Sequence, residues 1–312
     1  MTPPSKDSVT FHSIDEDEAG QRIDNWLLKI LKGVPKSHVY RILRAGEVRV
    51  NKGRIDASYR LAGGDLVRVP PIRSAVRDNA ARPVPAAVFP IVYEDDAMLV
   101  IDKPSGVAVH GGSGVSFGVI EQLRAARPEA RFLELVHRLD RDTSGLLMLA
   151  KKRSALVKLH AMMRDNIPDK RYLALGVGEW AAARKSVRKP LFKYTLPDGE
   201  RRVRVDEQNG LASQTDFRIV ERLPGFTLVE ARLRTGRTHQ IRVHMQSADC
   251  PIAGDDKYGD YDTNKMLARQ GLKRLFLHAW HLSLPHPLTG EPLLFEVPLP
   301  RELVAFAESL KS

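Results

Sequence analysis

Cysteine is nearly absent: Cys250 is the only one in 312 residues. A lone thiol cannot close an internal disulfide or build a zinc site, so the expectation is a small buried side chain in a reducing cytoplasm. No eighteen consecutive apolar residues occur, which excludes a plain transmembrane helix and gives no reason to expect a membrane partner. The acidic opening Ile14-Asp15-Glu16-Asp17-Glu18 carries no apolar stretch of the kind a secretory signal needs. Gly111-Gly112-Ser113-Gly114 lacks the G-K-[ST] ending of a Walker loop and the rest of a dinucleotide fingerprint. It reads as a flexible loop. Repeats of 20–50 residues and low-complexity tracts are also missing. With 43% apolar and 28% charged residues, one large or two ordinary globular domains remain.

What is abundant is positive charge, and it is concentrated. The chain has 49 Lys and Arg against 38 Asp and Glu, a net +11. Between Arg22 and Arg54 stand Arg22, Lys29, Lys32, Lys36, Arg41, Arg44, Arg49, Lys52 and Arg54, opposed only by Asp24 and Glu47. That segment therefore holds +7 and the rest of the chain +4. A basic module on a nearly balanced body is the footprint of a nucleic-acid reader, because phosphates need Lys and Arg on one surface. A merely solvated lysine-rich face would give the same count, so the pattern within the segment decides.

That pattern is ordered. Ile23, Trp26, Leu27, Ile30 and Leu31 share one helical face, and Gly33-Val34-Pro35 ends the helix. Ser37 is expected to cap a second helix with Tyr40 and Leu43 on its apolar side. Glu47-Val48-Arg49-Val50 and Asp65-Leu66-Val67-Arg68-Val69 alternate as strands around the turn Asn51-Lys52-Gly53. Residues 74–90, broken by Pro83, Pro85 and Pro90, read as a linker. Beyond it, Ile91–Glu94 and Met98–Ile101 read as strands.

The run Val136-His137-Arg138-Leu139-Asp140-Arg141-Asp142-Thr143-Ser144-Gly145 feeds the apolar stretch Leu146–Ala150, expected to be a buried strand. Asp140 is then at the mouth of the sheet, near Arg138 and Arg141, whose charges favour an ionised carboxylate. Such a group serves either a structural ion pair or a reaction, as nucleophile or base. A metal site from His137, Asp140 and Asp142, as in a metal-dependent RNA hydrolase, is the weaker alternative, since no second acidic cluster completes it.

Motifs extend this in a definite direction. Residues 21–51, two helices followed by Gly46-Glu47-Val48-Arg49-Val50-Asn51, resemble the S4 RNA-binding domain. The run from His137 to Gly145 matches the H-R-L-D-x-x-T-S-G signature of the RluA-type pseudouridine synthases. Lys170-Arg171-Tyr172-Leu173-Ala174 is similar to that family's K-x-Y-x-A motif, and Thr235 to His244 to its T-G-R-T-H-Q-I-R-V-H motif. Pro251–Asp255 and Leu275–Ala279 belong to the same pattern, which spans roughly residues 18 to 305.

The resemblance implies an α+β fold. Residues 1–18 form a tail, 19–73 the S4-like domain, 74–90 the linker, and 91–312 a catalytic domain on a mixed, largely antiparallel sheet. It implies isomerisation of uridine to its C-glycoside within RNA, without cofactor or metal, in the cytoplasm and by a monomer. The partner implied is large-subunit (23S) ribosomal RNA or its assembly intermediates, modified at several sites. Asp140 is then the essential carboxylate, which adds to the sugar, adds to the base, or takes a proton from C2′. Tyr172 packs on the target base and is the candidate to remove its C5 proton. Arg242 pairs with Asp140. Arg138, Arg22, Lys36, Arg41, Arg44, Arg49 and Lys52 are the expected RNA contacts. The local pattern agrees for Arg242: Ile241, His244, Met245 and Ala248 mark the buried face of a helix starting near Thr238. An S4-type binding factor with an inactive second domain is the competing reading, opposed by the joint presence of Asp140, Tyr172 and Arg242. Glu179 to Pro197 carries no readable motif and is expected to be an insertion that touches RNA.

Overall fold

The computed structural model describes residues 8–16, 18–31, 34–72, 84–111, 117–197 and 199–311. Most of the expected linker, the tip of the glycine loop, and Lys32 and Gly33 lie outside the described residues. The chain divides into two compact units, Met1–Val84 and Pro85–Ser312.

The smaller unit contains β1 (Thr10–Ser13), α1 (Ile23–Ile30), α2 (Lys36–Arg44), β2 (Arg49–Val50), β3 (Gly53–Arg54) and β4 (Leu66–Val69). Ile23, Trp26 and Leu27 of α1, with Leu31 beyond it, bury against Val39, Ile42 and Leu43 of α2 and Val48, Val50, Val67 and Val69 of the sheet. Two expectations are corrected. The first 18 residues are not simply a tail, because β1 pairs antiparallel with β4, His12 stands edge-on to Trp26, and Glu18 accepts the Trp26 indole N–H at 2.9 Å. Ser37 does not cap α2: the helix opens at Lys36 behind Pro35, and Tyr40 is half out of the core, donating to Asp24 at 3.0 Å. Proline, with φ held near the helical value, sets the start two residues earlier than a serine cap would.

The larger unit runs β5 (Ile91–Glu94), β6 (Met98–Lys103), α3 (Val119–Ala126), β7 (Glu134–Leu135), β8 (Ser144–Ala150), α4 (Arg153–Arg164), β9 (Asp169–Val177), β10 (Ser186–Arg188), β11 (Leu191–Thr195), β12 (Arg201–Val205), β13 (Gln214–Leu223), β14 (Phe226–Leu233), α5 (Gln240–Gln246), α6 (Tyr261–Arg269), β15 (Leu277–Pro285), β16 (Pro292–Glu296) and α7 (Arg301–Ser309). Its main sheet has the order β10-β13-β14-β9-β15-β8-β6-β5, with β16 on β15 and β7 on β8. The β8–β15 pair is parallel and the rest are antiparallel among the described residues, so the architecture is α+β. Both faces of the central strands are covered. Leu147 and Leu149 enter one apolar cluster, Leu146, Met148 and Ala150 the other, which is why β8 reads as an unbroken apolar run. Phe89, at the end of the expected linker, is buried in this unit's core.

The β8–β15 contact is short and positions the chemistry. It joins only Ser144 to His278 and Gly145 to Ala279 before the strands diverge. Gly145 has φ +109°, and a Cβ there would stand 2.2 Å from the Ala279 carbonyl oxygen. Glycine alone allows this approach, and it fixes where the loop carrying Asp140 leaves the sheet.

Candidate active site

A cleft of about 460 Å³ opens at that loop, within the size range of small-ligand sites. Its lining brings together Asp140 from the loop, Lys170 and Tyr172 from β9, and His239 and Arg242 from the start of α5. Asp140 is partly accessible, with 27% of its side chain exposed. Its cation does not come from the neighbours in sequence. Arg141 bonds Asp142 at 3.1 Å, and the Arg138 guanidinium, exposed at the rim, makes no bond among the described residues. Instead Arg242 Nη1 donates to Asp140 Oδ2 at 3.3 Å. Arg138 and Arg141 line the same cleft, yet the bonded partner stands a hundred residues away.

Arg242 is 2% exposed, and α5 is buried from Gln240 to Met245. Its fork is held by Asp255, which accepts from Nε at 2.8 Å and from Nη2 at 2.6 Å. Asp255 is wholly buried and also takes the backbone N–H groups of Lys257 and Tyr258. Burial alone would lower the Arg242 pKa, but the Asp255 and then the Asp140 carboxylates more than reverse it. The guanidinium is thus a fixed charge aimed at Asp140, stacked over the Tyr258 ring at 5.1 Å.

His239 lies on the other side of the carboxylate, Nε2 to Oδ1 at 3.8 Å. It sits at φ +52°, just before α5. Its Nδ1 is 2.6 Å from the Tyr258 hydroxyl, which accepts the Val203 N–H at 2.9 Å. This network assigns the imidazole proton to Nε2, facing Asp140. Burial lowers the His239 pKa against the pull of Asp140, so the ring is neutral.

Tyr172 is 7% exposed, and its hydroxyl has no hydrogen-bond partner among the described residues. Burial, then the Asp140 charge, raises its pKa, so the resting group is a neutral phenol. Lys170, also buried, has no partner among the described residues and its pKa is lowered by burial. Lys103, 0% exposed, donates to the carbonyls of Pro104 and Val107 at 2.8 Å and Arg141 at 3.0 Å. It ties the end of β6 to the Asp140 loop, and burial brings its pKa down to about 7. His137 turns Nε2 to the Met148 N–H at 3.1 Å, which occupies the lone pair a metal would need.

Sequence reading found Asp140, Tyr172 and Arg242, which meet at the cleft, but not Asp255, His239 or Lys103 as partners. Asp255 and His239 were inside recognised motifs. Only the tertiary contact gives them a role. In the smaller unit, Lys36, Arg41, Arg44, Arg49 and Lys52 are exposed, while Arg22 is clamped by Asp24 at 2.7 Å and Arg41 by Glu47 at 3.0 Å. Trp180, from the unread stretch, is a core residue packed on Phe217, ring centroids 4.4 Å apart.

Two imidazoles, His137 half-buried and His278 fully buried, anchor the same loop and carry a pH signature. Burial and nearby Lys170 bring His137 down to about 3, and burial brings His278, bonded to Ser144 Oγ at 2.9 Å, to about 4. Unfolded, both titrate near 6.5, so below that pH the unfolded chain binds protons that the fold refuses. Stability must therefore fall as pH falls, by about 2 kcal/mol for each histidine between pH 7 and 5. Urea unfolding of the chain at the two pH values checks this, and equal midpoints would contradict it.

Comparison with known proteins gives the geometry its class. Residues 97–247 match the RNA pseudouridylate synthase family, and residues 21–67 match the S4 domain. The chain belongs to the RNA pseudouridylate synthase family and is an isomerase. It is 55% identical over 309 residues to the ribosomal large subunit pseudouridine synthase C of Haemophilus influenzae, covering 97% of this chain and 96% of that protein. To the protein of the same name from Escherichia coli K12 it is 56% identical over 312 residues, 98% of each. Among solved structures, human RNA pseudouridylate synthase domain containing 4 superposes with a TM-score of 0.60 at 28% identity, over 71% of this chain and 92% of that one. No helix among the described residues is long and apolar enough to cross a membrane.

Proposed function

We propose that this chain converts uridines of large-subunit ribosomal RNA to pseudouridine at several positions, acting as a cytoplasmic monomer without a cofactor, with Asp140 as the reacting carboxylate. The observation that carries the reading is the Arg242–Asp140 contact at the cleft. The reaction breaks the N1–C1′ bond, turns the base, joins C5 to C1′, and exchanges the C5 proton for one on N1. It is redox-neutral. Attack on the sugar, attack on the base and proton removal from C2′ all need a carboxylate oxygen against a nucleoside taken out of its stack. Asp140, partly open and gripped from behind, meets that need. Tyr172 offers a ring for the extruded base. As a neutral phenol, it takes the C5 proton only while passing its own onward. The exposed cations Lys36, Arg44, Arg49 and Lys52 of the smaller unit supply phosphate contacts, with Arg22 and Arg41, and Arg138 contacts RNA at the rim.

Carbodiimide mapping of ribosomal RNA from a strain lacking the gene tests the reading. Specific large-subunit pseudouridines should disappear and return with the wild-type gene. An unchanged map would favour a binding factor that has lost activity.

A further inference from the structure

We propose that the β11–β12 hairpin is a second RNA-contacting surface, one that stacks single-stranded nucleotides flanking the target uridine. The inference rests on the reading of the chain as an RNA-modifying enzyme. The +4 outside the S4-like segment hides a second concentration. Residues 184–205 contain Arg184, Lys185, Arg188, Lys189, Lys193, Arg201, Arg202 and Arg204 against Asp198 and Glu200, a net +6. Arg188, Lys193 and Arg201 are exposed and form no ion pair among the described residues.

The hairpin has two dissimilar faces. In its antiparallel register Phe192 faces Arg204 and Tyr194 faces Arg202, so these four share one side. The opposite side sends Leu191 and Val203 into an apolar cluster with Val243 and Tyr258. Phe192 and Tyr194 enter none of the hydrophobic clusters of the described residues. Their cover is the Arg204 guanidinium, 5.6 Å from one ring centre and 5.5 Å from the other, itself 58% exposed and paired with Asp206 at 3.0 Å. Two aromatic rings bridged by an arginine offer any base a stacking partner, while the unpaired Lys193 and Arg201, which alternation puts on the hairpin's other side, offer positive charge to a backbone passing its edge. A protein partner would leave this excess charge unanswered unless it were acidic, whereas RNA answers both features.

Placement favours a strand continuing from the cleft. Val203 of the hairpin donates to the Tyr258 hydroxyl, Tyr258 bonds His239, and His239 faces Asp140. Two side chains in series, Tyr258 and His239, separate the hairpin backbone from the reacting carboxylate.

The test uses the full chain with Phe192→Ala and Tyr194→Ala combined, and separately Arg204→Glu. All three side chains lie outside the core, and equal unfolding midpoints confirm an intact fold. Single-turnover isomerisation is measured against protein-free large-subunit ribosomal RNA, and binding against a fluorescent decauridylate. The aromatic pair is expected to raise the half-saturating RNA concentration and the decauridylate dissociation constant about tenfold with the saturating rate retained. Arg204→Glu should weaken both and flatten their salt dependence. Wild-type affinity for both RNAs in both variants overturns the proposal, as does a loss confined to the saturating rate. A wild-type chain that isomerises nothing would refute the functional reading instead, and the decauridylate comparison would still decide the hairpin.

Discussion

Replacing Asp140 by asparagine is expected to lower the single-turnover rate of uridine isomerisation at saturating RNA by at least about ten-thousand-fold, the scale on which reacting groups are lost. The change is nearly isosteric and leaves the Arg242 clamp on Asp255 untouched, so the fold should survive it. Asparagine cannot serve as nucleophile or base, whichever of the three routes operates. RNA binding should persist, because the exposed cations of the smaller unit lie in a separate compact unit. Rate and dissociation constant measured on one preparation separate these outcomes. Near-normal turnover by the asparagine variant would refute the assignment of Asp140.

Arg242→Lys should be nearly as damaging to turnover, for a different reason. The guanidinium holds Asp255 with Nε and Nη2 and still presents Nη1 to Asp140. A lysine ammonium is a point charge and cannot grip one carboxylate with two parallel bonds while reaching another. It should settle on the fully buried Asp255, leaving Asp140 without its cation. A misplacement of this kind costs about a hundred-fold or more in rate. Arg242→Met goes further, leaving Asp255 with only its backbone donors, and should cost about 3–5 kcal/mol of stability. Thermal unfolding together with single-turnover kinetics distinguishes the two. A lysine variant with wild-type rate would show that the arginine serves the fold alone.

Local order was legible because local rules made it. The apolar stripe of α1 and the run of β8 announce a helix face and a strand covered on both sides. The three cleft residues were legible only through motifs, since no periodicity says that β9, α5 and a loop a hundred residues apart converge. Where reasoning used sequence neighbours it failed. Arg138 and Arg141 looked like the partners of Asp140, yet the cation arrives from α5. Charge counted over the whole body concealed the hairpin, because cations in β11 and β12 were averaged with acidic loops elsewhere. The supporting contacts, the Asp255 ion pair and the Lys103 bonds to backbone carbonyls, are buried ones, and burial is a property of the assembled fold.

A crystal structure of the Asp140→Asn chain bound to an RNA stem-loop carrying a target uridine is the most direct examination of the account. The uridine should be swung out of its helix into the cleft, its base against Tyr172, with the substituted side-chain amide at position 140 within about 3.5 Å of the nucleoside atom to be attacked or deprotonated. A target base still stacked in the RNA, or one seated in the cleft with that amide out of reach of both sugar and base, would contradict it.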